Sequence, residues 1–183
     1  LNNNMYIKTK LKYNKSLVIG FFIFSLVILL AVFSPYLTSY DPLKIDVVNR
    51  LKLPNNEHLL GTDELGRDVF TRLLYGSRIS ISVGLVSVSI ALILGIPLGL
   101  ISAYYGKIAD SMIMRFMDAL AAFPAILLAL AILSVLGPSI HNAMIAIGIV
   151  YLPAFSRVVR GSVLTVKNNE FVHSAKSTGS TEF

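Results

Sequence analysis

The sequence predicts an all-α fold, a polytopic bundle of transmembrane helices. Hydrophobic residues make up 55% of the 183 residues, charged residues make up 14%, and the mean hydropathy is +0.71. Soluble domains are close to a quarter charged, because a surface that faces water needs polar groups. Three long stretches, 16–40, 79–106 and 119–156, contain no charged residue. The solvent around these stretches is therefore predicted to be lipid.

Four spans are predicted around these stretches, at residues 17–37, 80–104, 113–136 and 142–160. A helix needs about 20 apolar residues to cross the hydrocarbon region, so the first two stretches hold one span each. The third stretch holds two, because its segment 137–142 contains residues that break helices. The first span also has the basic flank of a signal peptide. No A-x-A-like cleavage site follows Phe33 and the apolar run is too long, so we predict that it is retained.

The net charge of +6 does not indicate a nucleic-acid partner, because the basic residues flank the apolar runs and form no continuous stripe. Lys8, Lys10, Lys12 and Lys15 precede the first run, and Arg157, Arg160, Lys167 and Lys176 follow the last. Lysine and arginine favour the cytoplasmic side of a membrane. We therefore predict a cytoplasmic N-terminal tail at residues 1–16.

Residues 38–78 are predicted to form an extracytoplasmic connector. Leu65, Val69, Leu73 and Gly76 recur at helical spacing. This pattern predicts an amphipathic helix at about 63–77, capped by Thr62 or Asp63, at the outer membrane surface.

Part of the connector, residues 61–68, superficially resembles a phosphate-binding loop. Arg67 stands in place of the lysine of that motif, and Asp68 stands in place of its serine or threonine. Asp63 and Glu64 would in addition repel phosphate. No nucleotide site is predicted.

Some polar and helix-breaking residues lie within the predicted spans. Gly95, Pro97 and Gly99 are interpreted as a pliable point, and the alternative is that membrane helices simply tolerate proline. Arg115 and Asp118 are predicted to be an intramembrane charged pair, and structural anchoring of the helix is the alternative to a functional role.

His58, His141 and His173 lie in three different segments without metal-ligand spacing, and the chain has no cysteine. No metal site, cofactor or catalytic residue is predicted.

Two long segments carry a family resemblance: HLLGTDELGRDVFTRLLYGSRISISVGL at 58–85 and GIPLGLISAYYGKIADSMIMRFMDALAAFPAILLALAILSVLGPS at 95–139. They closely resemble the dipeptide/oligopeptide/nickel permease family of ATP-binding-cassette importers, and in particular its C-type subunit. The resemblance implies a type I importer permease fold with six spans in the plasma (inner) membrane. Four of these are expected here, in a fragment that lacks the C-terminal part.

The same resemblance implies the partners. They are a second homologous permease subunit, two cytoplasmic ATPase subunits, an external solute-binding protein and membrane lipid. The permease itself is expected not to be an enzyme, because ATP is hydrolysed on the partner subunits.

A cytoplasmic loop at 161–183 is implied to couple the permease to the ATPases. Glu170 and Gly179 match the signature of this loop, and Ala175 fits its second alanine. His173 and Ser174 depart from the expected Glu-Ala. The residues alone predict a short helix that Gly179 ends, and a solvated connector is the alternative interpretation.

Two other classes of function are weighed against the importer. A secondary transporter or channel would be expected to carry acidic residues in mid-span, and here such charges are scarce. An intramembrane hydrolase would need a nucleophile beside its base, whereas Ser139 and His141 are two residues apart and do not face each other on a helix.

Overall fold

The computed structural model describes residues 15–179, and its regular elements are helices. They are α1 (Lys15–Leu37), a 3₁₀ turn (Val47–Asn49), α2 (Val69–Tyr105), α3 (Lys107–Ala122), α4 (Ala125–Leu136), α5 (Ile140–Lys167) and α6 (Glu170–Ser177). Extended pairing in the described residues is limited to one bridge between Thr62 and Asp68. The predicted all-α fold is confirmed. Most of the predicted tail at 1–16, and residues 180–183 of the predicted coupling loop, lie outside the described residues.

Three helices within residues 15–179 are long and apolar enough to cross a membrane. In their most apolar windows α1, α2 and α5 have mean hydropathies of 2.9, 2.5 and 1.5. A fourth candidate is the pair formed by α3 and α4, whose axes are bent by 95° at a short break. Length and composition alone leave two readings of this pair, one broken span or a re-entrant loop.

The described part of the chain divides into two compact units, and their boundary, between Ser82 and Val83, falls inside α2. The first unit contains α1, the connector and the first turns of α2. The second contains the rest of α2 and the helices α3 to α6, and α5 packs against both α3 and α4.

The amphipathic helix predicted at about 63–77 is wrong in its start and its end. Residues 62–68 form a turn in which Asp63 Oδ1 accepts the N–H groups of Leu65 and Arg67, at 2.8 and 2.9 Å. The helix begins at Val69 and continues without a break to Tyr105. An aspartate that bonds backbone N–H groups just after itself favours a turn, and here this local chemistry outweighs the helical spacing.

Asp68 caps α2 in place of the predicted Thr62 or Asp63. Its Oδ2 accepts the backbone N–H and the hydroxyl of Thr71, both at 2.7 Å. Its Oδ1 accepts a hydrogen bond from Nδ1 of His58 at 2.9 Å, and both partners are buried. Burial alone would raise the pKa of Asp68, but the hydrogen bonds from Thr71 and His58 hold this pKa below its ordinary value of 3.8.

We expect the substitution Asp68→Ala to destabilise the connector by about 1 kcal/mol, because α2 loses its cap and the Thr71 hydroxyl and His58 lose a partner. The pKa of Asp68 is lowered, so its contribution is present above the ordinary pKa and is lost as the pH falls through the folded-state pKa. Hydrogen exchange of residues 44–66 at neutral and at acidic pH measures both effects. Glu64→Ala is the control, since Glu64 is exposed on the same turn. Equal exchange in the two variants would contradict the prediction.

The two longest helices of the second unit, α2 and α5, run parallel. Near the start of α5, Ser87 Oγ donates to the carbonyl of Met144 at 3.0 Å. At the end of α5, Lys167 Nζ donates to the carbonyl of Tyr104 at 2.7 Å. Contacts therefore advance in the same direction along both helices, over about 25 Å of helix axis. Since α2 and α5 run in the same direction, α3 and α4 together return the chain to the level at which α5 begins, as one broken span would.

The break lies at Phe123 and Pro124. Phe123 is extended (φ −82°, ψ 138°), as residues before proline prefer, and proline has no N–H to continue the helix. The prediction of one continuous helix at 113–136 is therefore corrected. The helical segment starts at Lys107 and turns sharply at Pro124, which is the cap of α4.

Candidate functional site

The coupling loop predicted at 161–183 starts too early, because residues 161–167 still belong to α5. Its later residues fold into α6, directly after α5. The helix covers Glu170–Ser177, and Gly179 follows it in the left-handed region with φ +81°. This agrees with the short helix expected there. Glu170 and Ser174 are exposed, whereas the side chains of His173 and Ala175 lie outside the described part of the chain.

Two apolar side chains of α6 were missed by the sequence analysis. Val172 is half-buried and lines a cleft of about 360 Å³ together with Tyr104, Val166 and Lys167. Phe171 is 64% exposed. Their signal in the sequence is an adjacent apolar pair within a polar segment. Val172 therefore anchors α6 to the ends of α2 and α5, and Phe171 is available to a partner.

Lys167 ties the end of α5 to the end of α2. Its ammonium donates to the carbonyls of Ala103 and Tyr104, at 3.2 and 2.7 Å, and lies 5.9 Å from the centre of the Tyr104 ring. These carbonyls belong to the last turn of α2, where carbonyl groups have no backbone N–H partner within the helix. The helix dipole also favours a cation at this end. The start of α6 is thereby fixed beside the C-terminal end of α2.

A second contact ties α5 to the start of α3. The Arg160 guanidinium donates through Nε and Nη2 to the two carboxylate oxygens of Asp110, both at 2.6 Å. Ser102 on α2 donates to the same carboxylate. A two-pronged arginine–carboxylate pair fixes geometry more firmly than a single contact. We call Ser102, Asp110, Arg160 and Lys167, with the Tyr104 carbonyl, the inner clasp.

The intramembrane pair predicted between Arg115 and Asp118 is wrong. Asp118 accepts a hydrogen bond from Arg157 of α5 at 2.8 Å, and Arg115 forms no ion pair within residues 15–179. Both Arg157 and Asp118 are about half exposed or more. Packing of α5 on α3 brings in a partner from another helix, which spacing within one helix does not reveal.

The glycines interpreted as a pliable point face α5. A Cβ on Gly95 would lie 3.1 Å from Phe155 Cβ, and one on Gly99 would lie 2.6 Å from the Ser156 carbonyl oxygen. The helix is continuous through Pro97. Both glycines therefore allow close helix packing. Bending at this point stays a prediction.

Metal ligands do not gather in the part of the chain that the structure describes. No group of three or more His, Cys, Asp or Glu side chains within residues 15–179 could hold a metal ion. Nδ1 of His58 is hydrogen-bonded to Asp68, and the side chain of His173 lies outside the described part of the chain. The expectation that the chain needs no metal or cofactor stays a prediction.

Comparisons with known proteins agree with this architecture. The family model described as "binding-protein-dependent transport system inner membrane component" matches residues 95–183, and the model described as "N-terminal TM domain of oligopeptide transport permease C" matches residues 7–54. The dipeptide transport system permease protein of Alkalihalophilus pseudofirmus is 48% identical over 93% of this chain and 56% of its own length. The chain belongs to the binding-protein-dependent permease family.

Other relatives of this permease carry similar names. A probable D,D-dipeptide transport system permease protein of Escherichia coli is 44% identical, over 86% of this chain and 53% of the relative. A glutathione transport system permease protein of Pectobacterium atrosepticum is 40% identical, over 94% of this chain and 58% of the relative. The chain spans a little over half the length of these relatives. None of the three names mentions nickel.

Proposed function

We propose that this permease chain supplies four spans of one subunit of an ATP-binding-cassette importer, and that α6 is its contact with a cytoplasmic ATPase. The inner clasp is the observation that carries the proposal. Lys167, immediately before α6, is bonded to the end of α2, and Arg160 is bonded to the start of α3. A displacement of α6 would therefore reach three helices at once, which is what a coupling element needs.

The proposed orientation puts α6 and the N-terminal tail in the cytoplasm. Four crossings return the chain to the side on which it started. That side carries the N-terminal lysines and the cations at the end of α5, in keeping with the preference of lysine and arginine for the cytoplasmic face.

The proposed substrate class is peptides, because the relatives are named for dipeptides and glutathione. The proposed partners are a second homologous permease subunit, two cytoplasmic ATPase subunits and an external solute-binding protein. In this assembly the ATPases hydrolyse ATP, and the chain itself acts as a non-enzymatic part of the pathway.

The substitution Phe171→Ala tests the role of α6. In a permease assembled with its partner subunits, we expect peptide-stimulated ATP hydrolysis to fall at least about tenfold, because an exposed aromatic side chain is a frequent anchor of an interface. Phe22→Ala is the matched control, since Phe22 is a phenylalanine of α1 that is 67% exposed. Phe22 lies in a predicted span, so its loss should leave stimulation unchanged.

Two outcomes would contradict the proposal. Full stimulation in the Phe171→Ala variant would exclude α6 as the main contact. Uptake that follows an ion gradient and survives depletion of ATP would favour a secondary transporter.

A further inference from the structure

The connector carries an apolar surface that the proposed coupling does not use. Six aliphatic side chains within eleven residues are exposed: Leu43, Ile45, Val47, Val48, Leu51 and Leu53. Val48 is 90% exposed and Leu53 is 83% exposed. Three exposed cations, Lys44, Arg50 and Lys52, lie between them. We call these nine side chains the connector patch. An apolar surface of this kind usually has a partner.

The backbone under the connector patch is held in place by the facing segment 61–66. The N–H groups of Asp46 and Leu51 donate to the carbonyls of Leu65 and Asp63, at 3.0 and 3.1 Å. The Thr62 N–H donates to the Lys52 carbonyl at 3.0 Å. The hydroxyl of Thr62 donates to the Asn49 carbonyl and accepts the Lys52 N–H at 2.8 Å. These backbone groups are thus hydrogen-bonded to the facing segment, while the apolar side chains of the patch remain exposed.

Two glycines make this close contact between the segments possible. A Cβ on Gly66 would overlap the carbonyl of Asp46, and one on Gly61 would lie 2.4 Å from the Lys52 carbonyl oxygen. Both glycines also have positive φ, at +75° and +73°. The connector patch is therefore a preformed surface.

We propose that the connector patch binds the phospholipid interface, with its aliphatic side chains at the acyl-chain boundary and its three cations at lipid phosphates. Leu43 lines the same cleft as Pro35 near the end of α1 and Tyr75 and Ile79 of α2. The patch therefore begins at the level where two spans leave the membrane. Tyr36, 86% exposed in the last turn of α1, is the type of residue found at that depth.

The composition of the connector patch favours lipid over a protein partner. The centres of protein interfaces are enriched in aromatic residues and depleted of lysine. The patch has two lysines and no aromatic residue. Within residues 15–179, Lys44, Arg50 and Lys52 form no ion pair with a carboxylate, so their charges are available to phosphates. This inference depends on the membrane assignment and is independent of the role of α6.

The sequence contains no tryptophan, so a single introduced tryptophan reports on its own surroundings. The chain carrying Leu53→Trp would be reconstituted into vesicles of phosphatidylcholine and phosphatidylglycerol, with and without bromine on the upper acyl chain. We expect bromine to remove about half of the fluorescence, because an interfacial side chain lies within about 5–10 Å of the acyl boundary. Val48→Trp should give the same loss. Glu64→Trp, on the same connector outside the patch, should lose far less.

The cations are tested in the Leu53→Trp chain by changing Lys44, Arg50 and Lys52 together to glutamine. We expect quenching to fall at least twofold, and unchanged quenching would overturn the phosphate contact. Absence of quenching at both Leu53→Trp and Val48→Trp would overturn lipid binding altogether. A blue shift of emission that needs the second permease subunit would assign the patch to a protein interface instead. Hydrogen exchange of residues 44–66 checks that each variant keeps the connector folded.

Discussion

Replacing Gly99 by leucine is expected to separate α2 from α5 and to destabilise the permease by about 3 kcal/mol. Even a single Cβ at this position would lie 2.6 Å from the Ser156 carbonyl oxygen and 2.9 Å from Val159 Cβ. The first of these atoms is backbone and the second is the root of a branched side chain, so neither can move without shifting α5. Thermal unfolding of the detergent-solubilised protein, together with its yield in membranes, measures the loss.

The same helix offers a matched control, because a Cβ on Gly84 would meet no atom within 4 Å. Gly84→Leu makes the same chemical change and removes a glycine from a helix interior, which is favourable by about 1 kcal/mol on propensity alone. We expect this variant to be as stable as the wild type or slightly more stable. If both variants were equally destabilised, the close packing of α2 on α5 would not be the cause.

Features that depend on local composition can be predicted from the sequence, whereas features that depend on contacts between helices cannot. A long run without charged residues indicates a lipid environment, so the approximate positions of α1, α2 and α5 could be predicted from composition. The break at Pro124 was missed, because a proline inside an apolar run is compatible with a kinked helix as well as with a 95° turn. The difference is decided by packing of α5 against α3 and α4, which no local pattern contains.

The charged residues illustrate the same limit. Arg157, Arg160 and Lys167 were interpreted as orientation signals, and that reading concerns only which side of the membrane they occupy. Their actual contacts, with Asp118, Asp110 and the Tyr104 carbonyl, join residues 39 to 63 positions apart. Spacing within one helix instead suggested Arg115 as the partner of Asp118. Of the candidate site, the sequence could therefore predict α6 but not the inner clasp that holds it.

Replacing Arg160 by leucine tests whether the inner clasp transmits motion. Removing one partner from a fully buried ion pair costs about 3–5 kcal/mol, because the other charge is left uncompensated. The side chains of Arg160 and Asp110 are 33% and 24% exposed, so water weakens their attraction and the cost of breaking the pair is smaller. We expect a destabilisation of about 2 kcal/mol and a larger relative fall in stimulated ATP hydrolysis than in basal hydrolysis. Thermal unfolding and ATPase assays of the assembled permease measure the two effects.

Arg157→Leu is the control for this prediction, since Arg157 lies on the same helix and pairs with Asp118 at 2.8 Å. That pair is 49% and 67% exposed, and exposed ion pairs contribute about 0–1 kcal/mol. The double variant Asp110→Leu/Arg160→Leu should be more stable than Arg160→Leu alone, because it leaves no unpaired carboxylate between the helices. Additive losses in the double variant would mean that Asp110 and Arg160 do not act as a pair. An equal loss in Arg157→Leu would mean that the effect is not specific to the inner clasp. Coupling through α6 would then have to depend on Lys167 and Val172.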